Sequence, residues 1–329
     1  MMRRRQLGVT LVELLVSMAI GLVVALASTM AYLAVRNTAN ATDAMSRMNE
    51  DGKLALDMLS REIQMAGFYP AAMTSPATPN LRGAFTNIKN AAAPAYNQGI
   101  FGCSGGKFLP ATAACETPVA DAPDSIVLNY FSASGVTDLG TGNISVSRDC
   151  INGSLNQDPV NAALAAGQPM FVSSRFAINS TSYSQASAGG GGNASSKDIT
   201  TGSLSCNGNG INPDGNTYQP VFEGISQMVI RYAVHAGVLG ETPRRFYTAT
   251  EVNALPVVND LNPWQRVAAV RVCLLMESLT GGRNDTAAGV SKTYLDCNGD
   301  TVTQPATDRR LLKALTRVIA VRNQLTGVQ

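Results

Sequence analysis

A chain of 329 residues, 45% hydrophobic and 15% charged, holds enough apolar material for at least one substantial core. Its 25 basic and 23 acidic side chains leave a charge of +2, and without Arg3, Arg4 and Arg5 the balance is 22 against 23. That near-neutrality makes no electrostatic case for nucleic-acid binding, and a lone histidine, His235, with no Cys-x-x-Cys pair argues against a zinc centre.

The first element follows a short basic start. Residues Val9 to Val35 are apolar enough to cross a bilayer and carry a single charge, Glu13. An ionised carboxylate in hydrocarbon costs about 2.5–3.5 kcal/mol on insertion scales, so this one needs a partner or a position at the lipid boundary. The run is longer than the 7–15 residues of a secretory signal, and its acid lies at the front edge. A plain single-pass anchor is the simpler reading. Arg3 to Arg5 precede the run and Arg36 follows it, so the positive-inside rule leaves the start cytoplasmic and sends the rest across.

The segment Gly8-Val9-Thr10-Leu11-Val12-Glu13-Leu14-Leu15-Val16 closely resembles the class III signal of type IV pilins and type II secretion pseudopilins. The resemblance implies cleavage by a prepilin peptidase between Gly8 and Val9, N-methylation of Val9, and an assembly role for Glu13 as fifth residue of the mature chain. Val9 stands where the family usually has Phe, an aliphatic replacement for an aromatic. In this reading Glu13 neutralises the new terminal amine of a neighbouring subunit. The plainer reading leaves it among the lipid headgroups. Gly21, Ala25 and Ser28 add small-residue spacing for close helix approach.

The run continues into an amphipathic stretch. Ala41, Ala44, Met48, Ala55, Leu59, Ile63 and Ala66 recur at helical spacing, with Gly52 interrupting the stripe. Asp43 with Arg47 and Asp57 with Arg61 are acid-first i,i+4 pairs. Gly67 suits a C′ position and Pro70 forbids continuation. One helix from Val9 to Ala66 would be about 87 Å long.

Beyond Gly67 the composition turns to short apolar runs punctuated by Gly, Asn, Ser and Pro. Strands are expected at Ser125–Phe131, Pro169–Ile178, Gly224–Val234, Val267–Met276 and Arg317–Arg322, a mobile loop at Ala186–Ser196, and turns through Cys206–Asn216. The fold class is therefore α+β: a long N-terminal helix, spanning the membrane with its first half, packed against a mainly antiparallel head with long loops. Residues 1–8 read as leader, 9–35 as membrane or fibre-core helix, 36–67 as the exported helix half and 68–329 as a head of one core or two lobes.

Six cysteines, Cys103, Cys115, Cys150, Cys206, Cys273 and Cys297, lie in the exported part. An even number in an oxidising compartment favours disulfides, although six allow 15 connectivities. Cys273–Cys297 is favoured because the pair flanks one loop behind a strand-like run; Cys103–Cys115 and Cys150–Cys206 are set beside it as a guess, with no spacing argument for them. Asp296, Asn298 and Asp300 alternate like the first ligands of a calcium loop, and calcium is the one cofactor the sequence suggests. Gly299 is not at the sixth position and no Glu stands at the twelfth, which favours a metal-free turn. The basic pairs Arg244-Arg245 and Arg309-Arg310 read as solvated surface, and Trp264 as a packing residue. No catalytic constellation emerges, so the chain is not expected to be an enzyme.

The segments from Ala55 to Phe68 (ALDMLSREIQMAGF), from Phe222 to Tyr232 (FEGISQMVIRY) and from Val318 to Asn323 (VIAVRN) are similar to the PilW-type minor pilins, relatives of the J-type pseudopilins. Residues 71–220 contribute little to this likeness. The resemblance implies a minor pilin of the bacterial inner membrane, head in the periplasm, that later enters a pilus fibre at the cell surface. It would prime fibre growth at or near the tip and support twitching motility, adhesion or DNA uptake. Expected partners are other minor pilins, the major pilin, the inner-membrane assembly platform, the prepilin peptidase and a large tip adhesin. The alternatives are a J-type pseudopilin of type II secretion, and an anchored binding protein or enzyme that borrows a pilin-like signal.

Overall fold

The computed structural model of the chain describes residues 10–70, 94–279 and 292–323, apart from 136, 139–142, 145–147, 156–157, 159–160, 162–168, 187–195, 211–214, 238–241, 307 and 309. Its first element is α1 (Leu11–Met65), 55 residues or about 82 Å at the standard rise. The helix begins two residues later than expected because Thr10 is its N-cap. Its second half buries Ala44, Met48, Ala55, Leu56, Leu59, Ile63 and, just past its end, Ala66. Gly52 does not interrupt this stripe but belongs to it: a Cβ there would meet the side chains of Leu315 and Met276, the latter at 3.0 Å from sulfur. The absence of a side chain at Gly52 therefore lets the helix approach the strands that carry Leu315 and Met276 closely. After Ala66 the chain turns through Gly67 at φ +77°. The Gly67 N–H donates to the Asn129 carbonyl at 2.8 Å, tying the helix end to the head.

The head begins with a 3-10 turn at Pro94–Tyr96, then β1 (Ile100–Cys103), β2 (Phe108–Leu109), β3 (Ala114–Cys115) and β4 (Ser125–Gly135). The short β5 (Thr137–Asp138) and β6 (Asn143–Ile144) lead to β7 (Pro169–Ala186), β8 (Ser196–Gly208) and β9 (Gln219–Glu223). Next come β10 (Ile225–Val234), β11 (Phe246–Tyr247), a short helix α2 (Ala249–Asn253), a 3-10 turn at Pro263–Arg266 and β12 (Val267–Glu277). The hairpin of β13 (Lys292–Leu295) and β14 (Thr301–Gln304) precedes β15 (Leu312–Ala320).

Among the described residues the two larger sheets, both antiparallel, have the orders β1-β4-β7-β8-β9 and β11-β10-β12-β15, and β2-β3, β5-β6 and β13-β14 are separate two-stranded pairs. β12 is almost wholly buried and central, as its apolar run requires. One core joins both sheets to the helix, with Leu59 and Ile63 of α1 packed among residues such as Ile126, Leu128, Met228, Ile230, Leu274 and Met276. Leu155, Met170 and Val172 form a small satellite cluster. This is the expected α+β arrangement of a long helix and antiparallel sheets.

Several expected boundaries move. The strand placed at Arg317–Arg322 is β15, which starts at Leu312 and ends at Ala320. Its early residues alternate between half-buried and exposed at a sheet edge and so give a weak apolar signal. Gly224 at φ +74° breaks the run expected to begin there, separating β9 from β10. Ala186 and Ser196, placed in a loop, face each other as the terminal pair of the β7–β8 ladder, and 187–195 lie outside the described residues. Cys206 to Gly208, read as turn, close β8, and part of that turn, 211–214, also lies outside them.

Candidate functional site

The first half of α1 is exposed throughout. Leu11, Leu22 and Val35 show 77%, 70% and 69% of their surface, and the most apolar window reaches a mean hydropathy of 2.3 with none of it buried in the chain. Its polar side chains are arranged to suit an apolar surrounding. Ser17, Ser28 and Thr29 donate to the carbonyls of Leu14, Val24 and Ala25 at 2.9, 2.7 and 2.8 Å, so these hydroxyls need no water. A Cβ added at Gly21 would meet nothing within 4 Å, so this face is open to a partner helix.

Glu13 lies at the front of this surface, as the N3 residue of a capping box. Its Oε2 accepts from the Thr10 N–H and Thr10 hydroxyl, both at 3.1 Å, and its own N–H donates to Thr10 Oγ1 at 3.3 Å. The carboxylate also sits at the positive end of the helix dipole. Thr10 was missed in reading the sequence, though the Thr-x-x-Glu spacing ahead of an apolar run is the signal for it. Gly8 and Val9, where cleavage and methylation are expected, lie outside the described residues.

The second half of α1 is clamped to β15 and the residues after it. Asp57 forms an ion pair with Arg317, whose Nη1 also reaches Ser60 Oγ at 3.2 Å. Lys313 donates to Asn49 Oδ1 at 2.7 Å, and Asn323 to the Gln64 carbonyl at 2.8 Å. Asp43 and Arg47 pair along the helix at 3.1 Å, while Asp57, expected to pair with Arg61, is engaged across elements.

Among the described residues the six cysteines form three disulfides, Cys103–Cys115, Cys150–Cys206 and Cys273–Cys297. The last ties β12 to the turn of the β13–β14 hairpin. In that turn Asp296 Oδ1 accepts from the N–H groups of Asn298 and Asp300 at 2.9 and 2.8 Å. Asn298 Oδ1 accepts from Arg231 at 3.1 Å. The alternation of Asp and Asn thus builds an Asx-type hairpin turn with Gly299 at φ +91°, and no group of three or more candidate metal ligands occurs among the described residues. Trp264 is buried edge-to-face against Tyr232, its indole N–H donating to Asn253 at 2.7 Å.

Among the described residues burial raises two acids. Burial pushes the Asp124 carboxyl above the ordinary range, opposed by N–H donation from Ile230 and Gly105 at 2.8 and 2.9 Å and by Arg231. Burial likewise raises Glu62 on α1; the nearby Ser174 hydroxyl opposes it, Asp149 reinforces it, and Tyr130 opposes it. Arg310, expected on solvated surface, is half-buried and holds the buried Glu277 at 2.6 Å, while Arg309 lies outside the described residues.

Residues 3–29 match the prokaryotic N-terminal methylation motif, and residues 185–323 match the type IV pilus-assembly protein W family. No curated protein matches the chain. A type IV-like pilin from Thermus thermophilus aligns over 84% of this chain and 98% of its own, at 11% identity and a TM-score of 0.35.

Proposed function

Because this chain joins a prokaryotic N-terminal methylation motif to a type IV pilus-assembly protein W domain, we propose that it is a minor pilin. Residues 1–8 are removed by a prepilin peptidase at Gly8–Val9 and the new terminus is methylated. Residues 9–35 then hold the chain in the inner membrane as a single pass, with the head in the periplasm. Later the same segment packs into the fibre core. The chain works by assembling with other minor pilins, the major pilin and the platform protein, not by catalysis.

One observation supports this most: a single unbroken helix is bare and apolar over its first half and clamped to a folded head over its second. A plain anchor needs no such continuity, whereas a subunit that passes from lipid to protein packing does. The lone acid at the front of the bare half supports an electrical match with the amine of a neighbour. In the single chain its carboxylate is held by Thr10, so entry into an assembly exchanges that cap for an intermolecular partner. A head of this bulk favours a rare place at or near the tip, where it primes growth and supports twitching motility and adhesion.

The test is Glu13→Ala in cells. The variant is expected to be cleaved and to remain in the membrane, yet to be absent from sheared pili by immunoblot. Incorporation at the wild-type level would overturn the assignment, as would a mature N-terminus other than Val9 by mass spectrometry. Deletion with electron microscopy separates this from the alternatives. Loss of fibres and twitching is expected; loss of protein secretion alone would indicate a J-type pseudopilin, and intact fibres with intact secretion an anchored binding protein.

A further inference from the structure

A cleft of about 620 Å³ opens between β7 and β8 of the five-stranded sheet, the end of β12 and the β13–β14 hairpin, with no described residue of α1 in its lining. Its size is that of a small-ligand site, and its walls are held by a connected polar network. At its centre is Glu277, whose side chain is 3% exposed. Glu277 Oε1 accepts from the Thr201 hydroxyl and from the Gly202 N–H, and Oε2 accepts from Arg310 Nη1. The Arg310 fork also grips Asp308, Nη2 to Oδ2 at 2.7 Å and Nε to Oδ1 at 3.0 Å. Gln304 Nε2 donates to the Arg310 carbonyl at 2.9 Å, and Lys107 donates to the Asn179 amide oxygen.

We propose that this cleft binds a neutral oligosaccharide. The two basic and two acidic side chains of the lining balance, and Arg310 is already committed to both acids, so neither an anion nor a cation gains a net field. The hydroxyls and amides around them offer donors and acceptors in fixed positions, which is what recognises sugar hydroxyls without a large ordering cost. Tyr294, half-buried on β13, adds an amphipathic ring against which the apolar face of a pyranose can lie. Polar and apolar groups share the lining almost equally, which suits an amphipathic sugar better than an acyl chain. The inference does not depend on whether the chain enters a fibre, because binding is read on the purified protein.

The experiment uses the full chain in a phosphocholine detergent, which avoids competition from sugar-based detergents. Maltotriose, cellotriose and tri-N-acetylchitotriose are titrated by calorimetry and saturation-transfer NMR, with sialyllactose as an anionic comparison. Saturable binding of at least one neutral trisaccharide is expected, weakened about tenfold or more by Tyr294→Ala and largely kept by Tyr294→Phe. Thr303→Trp, at the cleft lining, is expected to abolish binding if Tyr294→Ala proves unstable. The proposal is overturned if no neutral trisaccharide binds at roughly 10 mM, if only sialyllactose binds, or if binding persists unchanged in a folded Tyr294→Ala or Thr303→Trp protein.

Discussion

Glu62 is a carboxyl whose surroundings disfavour its charged form. Its Oε2 atom is buried without a hydrogen-bond partner among the described residues, and burial raises its pKa. A raised carboxyl binds its proton more tightly in the folded chain than in the unfolded one. The associated stability is therefore present below the ordinary glutamate pKa and is lost as pH rises through the folded value. Glu62→Gln is accordingly expected to raise the melting temperature at pH 7 by about 2–4 °C, with the gain vanishing near pH 4. Equal melting of the two proteins at pH 7 would refute it. Asp308 behaves oppositely: its bonds to Arg310 hold it down at about 2, so its contribution is present above the ordinary aspartate pKa and disappears as pH falls toward 2. The position of Glu13 is legible in the sequence because a single charge stands alone in an apolar run. Glu62 is not, because Arg-Glu-Ile-Gln on an amphipathic helix reads as a mixed boundary, and only the approach of β4 and β7 makes its site dry.

At the scale of elements the rod is the most legible part, since its apolar content and 3.6-residue stripe are local properties of the chain. Gly52 is the exception, because a glycine in a stripe says nothing about what approaches it. Here Met276 and Leu315 fill the place of its side chain. Gly52→Leu is expected to push α1 off β12 and β15 and to destabilise the head by about 1–3 kcal/mol, measured by thermal denaturation of the full chain in detergent. An unchanged midpoint would mean the contact is loose. β8 was the hardest strand to see, because Ser, Thr and Gly dominate it. It is held as a strand by partners far away in sequence: the register from Ser174↔Gly208 to Ala186↔Ser196, and hydroxyl pairs such as Thr181 with Ser203 at 2.6 Å and Ser182 with Thr200 at 3.0 Å. Such a strand satisfies its polar atoms internally and leaves no alternating apolar trace. The cleft was illegible for a related reason, its walls being brought together from stretches of chain as far apart as Lys107 and Leu312.

Across the whole molecule, one core joins the two larger sheets to half a helix, and each disulfide ties a buried cysteine, Cys103, Cys206 or Cys273, to a less buried one. Cys273–Cys297 closes 24 residues of sequence separation between a buried central strand and the hairpin that walls the cleft. Replacing both cysteines by serine is expected to cost about 3 kcal/mol, seen as a lower denaturation midpoint. Non-reducing peptide mapping of the native protein is expected to recover all three pairs. A wild-type midpoint in the double variant would mean the hairpin is held by its other contacts alone.

The attachment of rod to head has a mechanical corollary. β15 and the residues after it run alongside α1 in the same direction, and the contacts Asn49–Lys313, Asp57–Arg317 and Gln64–Asn323 succeed one another along both. A pull directed down the helical axis reaches these fasteners together, in shear, instead of opening them one after another like a zip. Traction on the thin end is thereby spread over several turns of helix before any strand of the body must give way.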